Sequence, residues 1–237
     1  MSKPREQRNQ KHNKKVQSFL SDGLNDYIAA RVLFLSQLPQ QGAILSSTAI
    51  EKYFKAILAF RGNESHGHLK KAHWNAVRNF DKELFSKLDY GFIELNRKAY
   101  LLRYTDDLPQ NFNLVIASRE FLAELDHTVL ALQQRFSISQ DGEPCRTKFQ
   151  ALLSARDSRI FSENHVLART PKEDFIYQSP QYVYEVRNDG SRGLVEVNYM
   201  TTSKAIVAGF LRPGFTPKDN EHKSYELSHL PLSSSRG

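Results

Sequence analysis

The sequence predicts a mainly α protein, an antiparallel up-and-down helical bundle followed by a small α+β extension with a β-hairpin. Three observations predict it. Between residues 16 and 136, apolar side chains recur every three or four positions, the period of a helix with one buried face. Pro39, Gly62 and the Thr105-Asp106-Asp107-Leu108-Pro109 turn interrupt that pattern, so several helices must fold back on one another. After Phe136 the pattern changes, and two β-branched and aromatic runs flank Asn188-Asp189-Gly190, a hairpin signature.

The first helix is expected from Val16 to Leu38, with Leu24, Ile28, Val32, Leu35 and Leu38 on its apolar face and Pro39 ending it. A second, from Gly42 to Arg61, carries Ile44, Ile50, Phe54, Ile57 and Leu58, and Gly62 supplies its stop. A short third helix spans His68 to Phe80 with Leu69, Trp74 and Val77. The fourth runs from Tyr90 to Tyr104 with Phe92, Leu95, Ala99 and Leu102 in line. The fifth is read from Leu114 through Phe121, Leu122, Leu125, Val129 and Leu132 to Phe136. Residues 137–144 read as a polar linker, and 145–212 as the extension, with a helical stretch near Phe149 to Leu153. Strands are expected at Tyr182–Val186 and Leu194–Tyr199, while Thr202–Leu211 fits either a strand or a helix. Residues 213–237, rich in Pro, Ser, Lys and His, read as a flexible tail.

Of 237 residues, 40% are hydrophobic and 25% charged, the composition of a globular protein with room for one large or two small domains. The longest apolar runs, such as Ile206–Leu211, fall far short of the ~20 residues needed to span a bilayer, so no membrane partner is expected. The first fifteen residues lack the apolar core of a secretory leader. Cys145 is the single cysteine, too few for a disulfide framework or a multi-cysteine zinc site, which fits a reducing, cytoplasmic setting. The net charge is +7, and residues 1–15 carry most of it. Lys3, Arg5, Arg8, Lys11, Lys14 and Lys15 face Glu6 alone, so these residues read as an unstructured basic arm. Such an arm adds salt-dependent, non-specific phosphate affinity.

Phosphate-loop, dinucleotide-fingerprint, His-Glu-x-x-His and Gly-x-Ser-x-Gly motifs are all missing, which removes the usual footholds of several enzyme classes. No cofactor is implied. His66, His68 and His73 cluster without a matched carboxylate or cysteine, so no metal site is assigned. Cys145 has no histidine base signalled beside it and reads as an incidental thiol.

Three segments carry a resemblance. Ala49-Ile50-Glu51-Lys52-Tyr53-Phe54-Lys55-Ala56-Ile57-Leu58 resembles the Ala-x-Glu-Lys-x-x-Lys-Ala-x-Leu pattern of HEPN domains (higher eukaryotes and prokaryotes nucleotide-binding). Gly67-His68-Leu69-Lys70-Lys71-Ala72 resembles the His-x-Leu segment that follows it in that family. Arg97 to Tyr104 resembles the family's arginine-rich fourth helix. The likeness covers residues 16–136. It implies a helical bundle that pairs as a symmetric homodimer and binds nucleotide or RNA, sometimes beside a nucleotidyltransferase partner in a toxin–antitoxin setting. Many members are metal-independent ribonucleases that place a histidine four to six residues after an arginine, commonly as Arg-Asn-x-x-x-His-x-Tyr. Here Arg97 takes the arginine, Lys98 the asparagine and Tyr104 the tyrosine, but Leu102 stands where the histidine belongs. Leucine moves no proton, and general acid–base help contributes ~10²–10⁴-fold in rate, so a module without catalytic activity is expected. The alternatives are a ribonuclease using a displaced histidine, His127 or His68, with Arg97 or Arg119, and a protein-interaction module partnering a nucleotidyltransferase.

The expected binding residues are Arg97, Tyr100, Arg103 and Tyr104, with Glu51 and Lys55. Arg97, Tyr100 and Tyr104 are spaced to share one helix face, where a guanidinium and phenol rings hold a phosphate and stack a base. Arg103, at the helix end, also suits the C-terminal carbonyls. Glu51 and Lys55 form an i,i+4 pair, worth ~0.3–0.5 kcal/mol on an exposed surface.

Overall fold

The computed structural model describes residues 5–63, 66–110, 112–140, 143–178, 180–188 and 194–201. It is mainly helical. The elements in order are α1 (Arg5–Leu35), α2 (Pro39–Phe60), α3 (Lys71–Phe80), α4 (Lys82–Ser86), α5 (Tyr90–Ala99), β1 (Asn113–Ala117), α6 (Ser118–Gln133), β2 (Ile138–Gln140), β3 (Glu143–Cys145), α7 (Lys148–Ser154), α8 (Ser158–Phe161), α9 (His165–Ala168), α10 (Lys172–Ile176), β4 (Gln181–Asn188) and β5 (Leu194–Thr201). Two 3₁₀ turns, Tyr100–Arg103 and Thr105–Asp107, join α5 to β1.

Helix α1 starts at Arg5, so most of the expected unstructured arm is helical. After Pro4 the stretch has no Gly or Pro until Gly23 and is rich in Gln, Lys and Arg, which favour helix, so the core-bound helix extends outward. Residues 1–4 lie outside the described ones. The buried face of α1 also differs in part from the expected one. Leu24 and Ile28 are buried as expected, beside Val16, Leu20, Tyr27, Ala30, Arg31 and Phe34, while Val32, Leu35 and Leu38 are exposed. Tyr27 and Arg31 fill that face because Asp126 on α6 receives both: the Tyr27 hydroxyl donates to Oδ1 at 2.8 Å, and the Arg31 guanidinium pairs with Oδ2. Leucines beyond Phe34 then fall off the core stripe.

Pro39 opens α2 rather than merely closing α1; its missing N–H costs nothing in a first turn. Gly62 ends α2 as expected, with φ at +85°. Its N–H reaches the Ala59 carbonyl and that of Asn63 the Leu58 carbonyl, each at 2.9 Å, which satisfies the last turn. Helices α2 and α5 are tied by the Ser46 hydroxyl donating to Asn96 Oδ1 at 2.6 Å, while Asn96 Nδ2 donates to the Phe92 carbonyl at 2.8 Å.

Leu114 was expected in the fifth helix but lies in β1, and the helix begins at Ser118. β1 pairs antiparallel with β4, Leu114 opposite Val186 and Ile116 opposite Tyr184. β4 pairs in turn with β5, Val183 opposite Tyr199, which completes a three-stranded sheet. The expected linker holds a short β2–β3 ribbon around residues 141–142, which lie outside the described ones. So do the hairpin tip 189–193, the segment 202–212 and the tail 213–237. No side chain of residues 138–145 is described, Cys145 among them.

The extension packs into the bundle's own core. Phe149, Ile160, Phe175, Ile176, Tyr184 and Val186 belong to the same buried cluster as Phe54, Phe92 and Phe121. Burying each such side chain contributes roughly 1.5–3 kcal/mol. Among the described residues no helix is long and apolar enough to cross a membrane.

Candidate functional site

The expected site residues come from α2, from the loop ahead of α3 and from the end of α5, and Glu51 joins the first two. Its carboxylate is nearly buried and accepts from Lys55 Nζ at 2.6 Å and from the Leu69 backbone N–H at 3.1 Å. A backbone donor in the loop before α3 thus finds its partner on α2, 18 residues earlier. Lys52 turns away to Asp26 Oδ2 at 2.7 Å. Glu51 Oε2 also lies 3.4 Å from His68 Nδ1.

From His68 the chain of contacts runs to the end of α5. His68 Nε2 lies 2.5 Å from the Tyr100 hydroxyl, and the two rings stack with centroids 4.1 Å apart. The carboxylate beside Nδ1 favours the proton there, which leaves Nε2 to accept from the phenol. The Arg103 guanidinium lies over the Tyr100 ring, 5.2 Å from its centroid, and donates to the hydroxyl at 3.3 Å. His68, Leu69, Lys70, Lys71, Arg97 and Tyr100 line a cleft of about 260 Å³.

Arg97 is held rather than loose. Its Nε donates to Glu94 Oε1 at 2.9 Å, a second nitrogen pairs with the same oxygen, and 36% of its side chain stays exposed. Glu94 is buried, so the arginine offers the cleft a cation fixed from beneath. His73, buried behind the loop, accepts from the Lys70 N–H at 3.5 Å. Burial first, and then the Lys55 ammonium, push its pKa below the ordinary histidine value.

Tyr104 stands apart. The α-helix gives way at Tyr100 to a 3₁₀ turn of three residues per turn, so Arg103, not Tyr104, falls over Tyr100. Tyr104 is 60% exposed and does not line the cleft. Leu102, at the position of the resembled histidine, is 2% exposed and packs in the core. The other displaced candidates lie outside this cleft: His127 Nε2 is 3.0 Å from the Lys87 carbonyl, and Arg119 pairs with Glu163 at 2.9 Å. Sequence reasoning missed two partnerships. The Glu94–Arg97 pair has a readable i,i+3 spacing, whereas His68 and Tyr100 are 32 residues apart and no local pattern links them.

Among the described residues no group of three or more His, Cys, Asp or Glu is placed to hold a metal ion. No protein-family model, curated protein or solved structure matches the chain.

Proposed function

We propose that the chain is a HEPN-like module that binds nucleotide or RNA at the His68–Tyr100 cleft. The observation that carries this reading is the convergence of His68, Lys70, Lys71, Arg97 and Tyr100 on one cleft, with Arg103 against the Tyr100 ring. His68 keeps 59% of its side chain exposed, so its outer ring face accepts a base while its inner face rests on Tyr100. The cations beside it complement a phosphate, and the fixed Arg97 guanidinium loses little freedom on binding. A fluorescent oligoribonucleotide and a labelled mononucleotide, titrated at two salt concentrations, test the reading. Micromolar binding that weakens with salt, and weakens about tenfold or more in Arg97→Ala, is expected for a charge-assisted phosphate contact. Equal affinity in wild type and variant, or no binding at micromolar protein, contradicts it.

A metal-independent ribonuclease is the second reading, favoured by one observation. His68 stands between the Glu51 carboxylate and the Tyr100 hydroxyl, in the arrangement that orients a general base. Cleavage of RNA in the presence of a chelator, lost in His68→Ala, supports it; intact RNA with wild-type protein removes it.

A further inference from the structure

The outer edge of β5 points to a second copy of this chain as its partner. Among the described residues β5 pairs with β4 on one side and has no strand on the other. Soluble proteins blunt such an edge with lysine, proline or a bulge. β5, Leu-Val-Glu-Val-Asn-Tyr-Met-Thr, has no lysine or proline, its register with β4 is unbroken, and its one charge is Glu196. Leu194, Val195 and Met200 are exposed, Met200 at 62%. Beside the Met200 end lies a groove of about 400 Å³, lined by Gln37, Pro39, Tyr182, Tyr199 and Met200 among others. None of its lining residues is charged, and Leu38, between two of them in sequence, is exposed.

The order of residues in β5 selects the occupant. An antiparallel pairing of two copies about a twofold axis at Val197 sets Leu194 opposite Met200, Val195 opposite Tyr199 and Glu196 opposite Asn198. Directly opposed residues lie on the same face of the joined sheet, as an antiparallel ladder requires. Apolar side chains meet apolar ones, and neither Glu196 faces its own copy, which would repel. The second copy's Leu194 then arrives beside Met200 at the mouth of the uncharged groove. A charged peptide would find no complement there. We infer that two copies of the chain join their sheets through β5, forming a continuous six-stranded sheet. This inference is independent of what the His68–Tyr100 cleft binds.

Sedimentation equilibrium of the full chain tests it. Wild type is expected at about twice the 27.3 kDa chain mass at tens of micromolar protein. Leu194→Lys and Met200→Glu are each expected to weaken association about tenfold or more. The double variant Leu194→Lys/Met200→Glu should restore it, because the introduced charges attract only across the twofold axis. Circular dichroism confirms that each variant is folded. If either single variant unfolds, Val197→Cys in a Cys145→Ser background decides the matter, since two thiols at the axis should form an intermolecular disulfide on oxidation. A monomeric wild type, a dimer unmoved by folded single variants, a folded double variant that fails to recover, or an oxidised Val197→Cys chain that stays monomeric would each overturn the inference.

Discussion

Glu51 answers two demands with one carboxylate: the Lys55 ammonium on its own helix and the Leu69 N–H in the loop ahead of α3. This is the physical link between the Glu-Lys-x-x-Lys segment and the His-x-Leu segment, whose common purpose the sequence hid because an i,i+4 ion pair explains itself locally. Asp89 shows the opposite balance. Its Oδ1 caps α5 by accepting from the Phe92 N–H at 2.9 Å, yet burial, the dominant effect, pushes its pKa up to about 6 against the ordinary 3.8. The cap and the Lys172 charge only partly oppose that rise. A carboxyl raised in the folded state stabilises most below the unfolded value, and that contribution is lost as pH climbs through about 6. Asp89→Asn keeps a capping oxygen without the charge. In urea unfolding between pH 4 and pH 7.5 the variant should lose less stability than wild type as pH rises, by at most ~3 kcal/mol. Identical pH profiles would contradict this account of Asp89.

At the scale of elements, periodicity revealed helices well and their ends poorly. Tyr90 to Tyr104 carries an unbroken apolar stripe, so nothing local signals that the winding tightens at Tyr100. That change decides which aromatic joins the site, since it turns Tyr104 out and brings Arg103 over Tyr100. Leu114 was misassigned because its separation of seven residues from Phe121 suits two helical turns; pairing with Val186 on β4, 72 residues away, makes it a strand. The α1–α2 contact has a requirement of its own at Gly42. A Cβ there would lie 2.8 Å from the Phe34 ring and 3.2 Å from the Ala30 carbonyl oxygen, and Phe34 is itself stacked on Phe121. Gly42→Ala should therefore destabilise by ~1–2 kcal/mol, since overpacking outweighs the helix-propensity gain of ~1 kcal/mol. Thermal unfolding should show a Tm about 2–8 °C lower; a higher Tm would mean that Phe34 yields freely.

Across the whole molecule, the extension shares one buried core with the bundle, as a hairpin too small to stand alone in water requires. Arg31 is one residue that ties the two together. Its guanidinium is buried, pairs with Asp126 on α6, and donates to the Arg159 and Ser162 carbonyls around α8, at 3.0 Å for Arg159. One buried cation thus fastens first helix, sixth helix and extension, and removing one partner of such a pair typically costs ~3–5 kcal/mol. A reader of sequence places arginine outside, and the 95 residues separating it from Asp126 leave no pattern to correct that. The same reasoning covers the candidate site: residue types on each segment were legible, whereas the His68–Tyr100 contact that assembles them required the fold. The binding proposal is therefore tested most directly at His68 itself. Of the eight histidines, His68 should be the one whose imidazole resonances move when a short oligoribonucleotide is titrated into histidine-labelled protein and followed by NMR, with His165 unmoved inside the core. Unchanged His68 resonances at saturating ligand, or shifts confined to His127, would contradict the account.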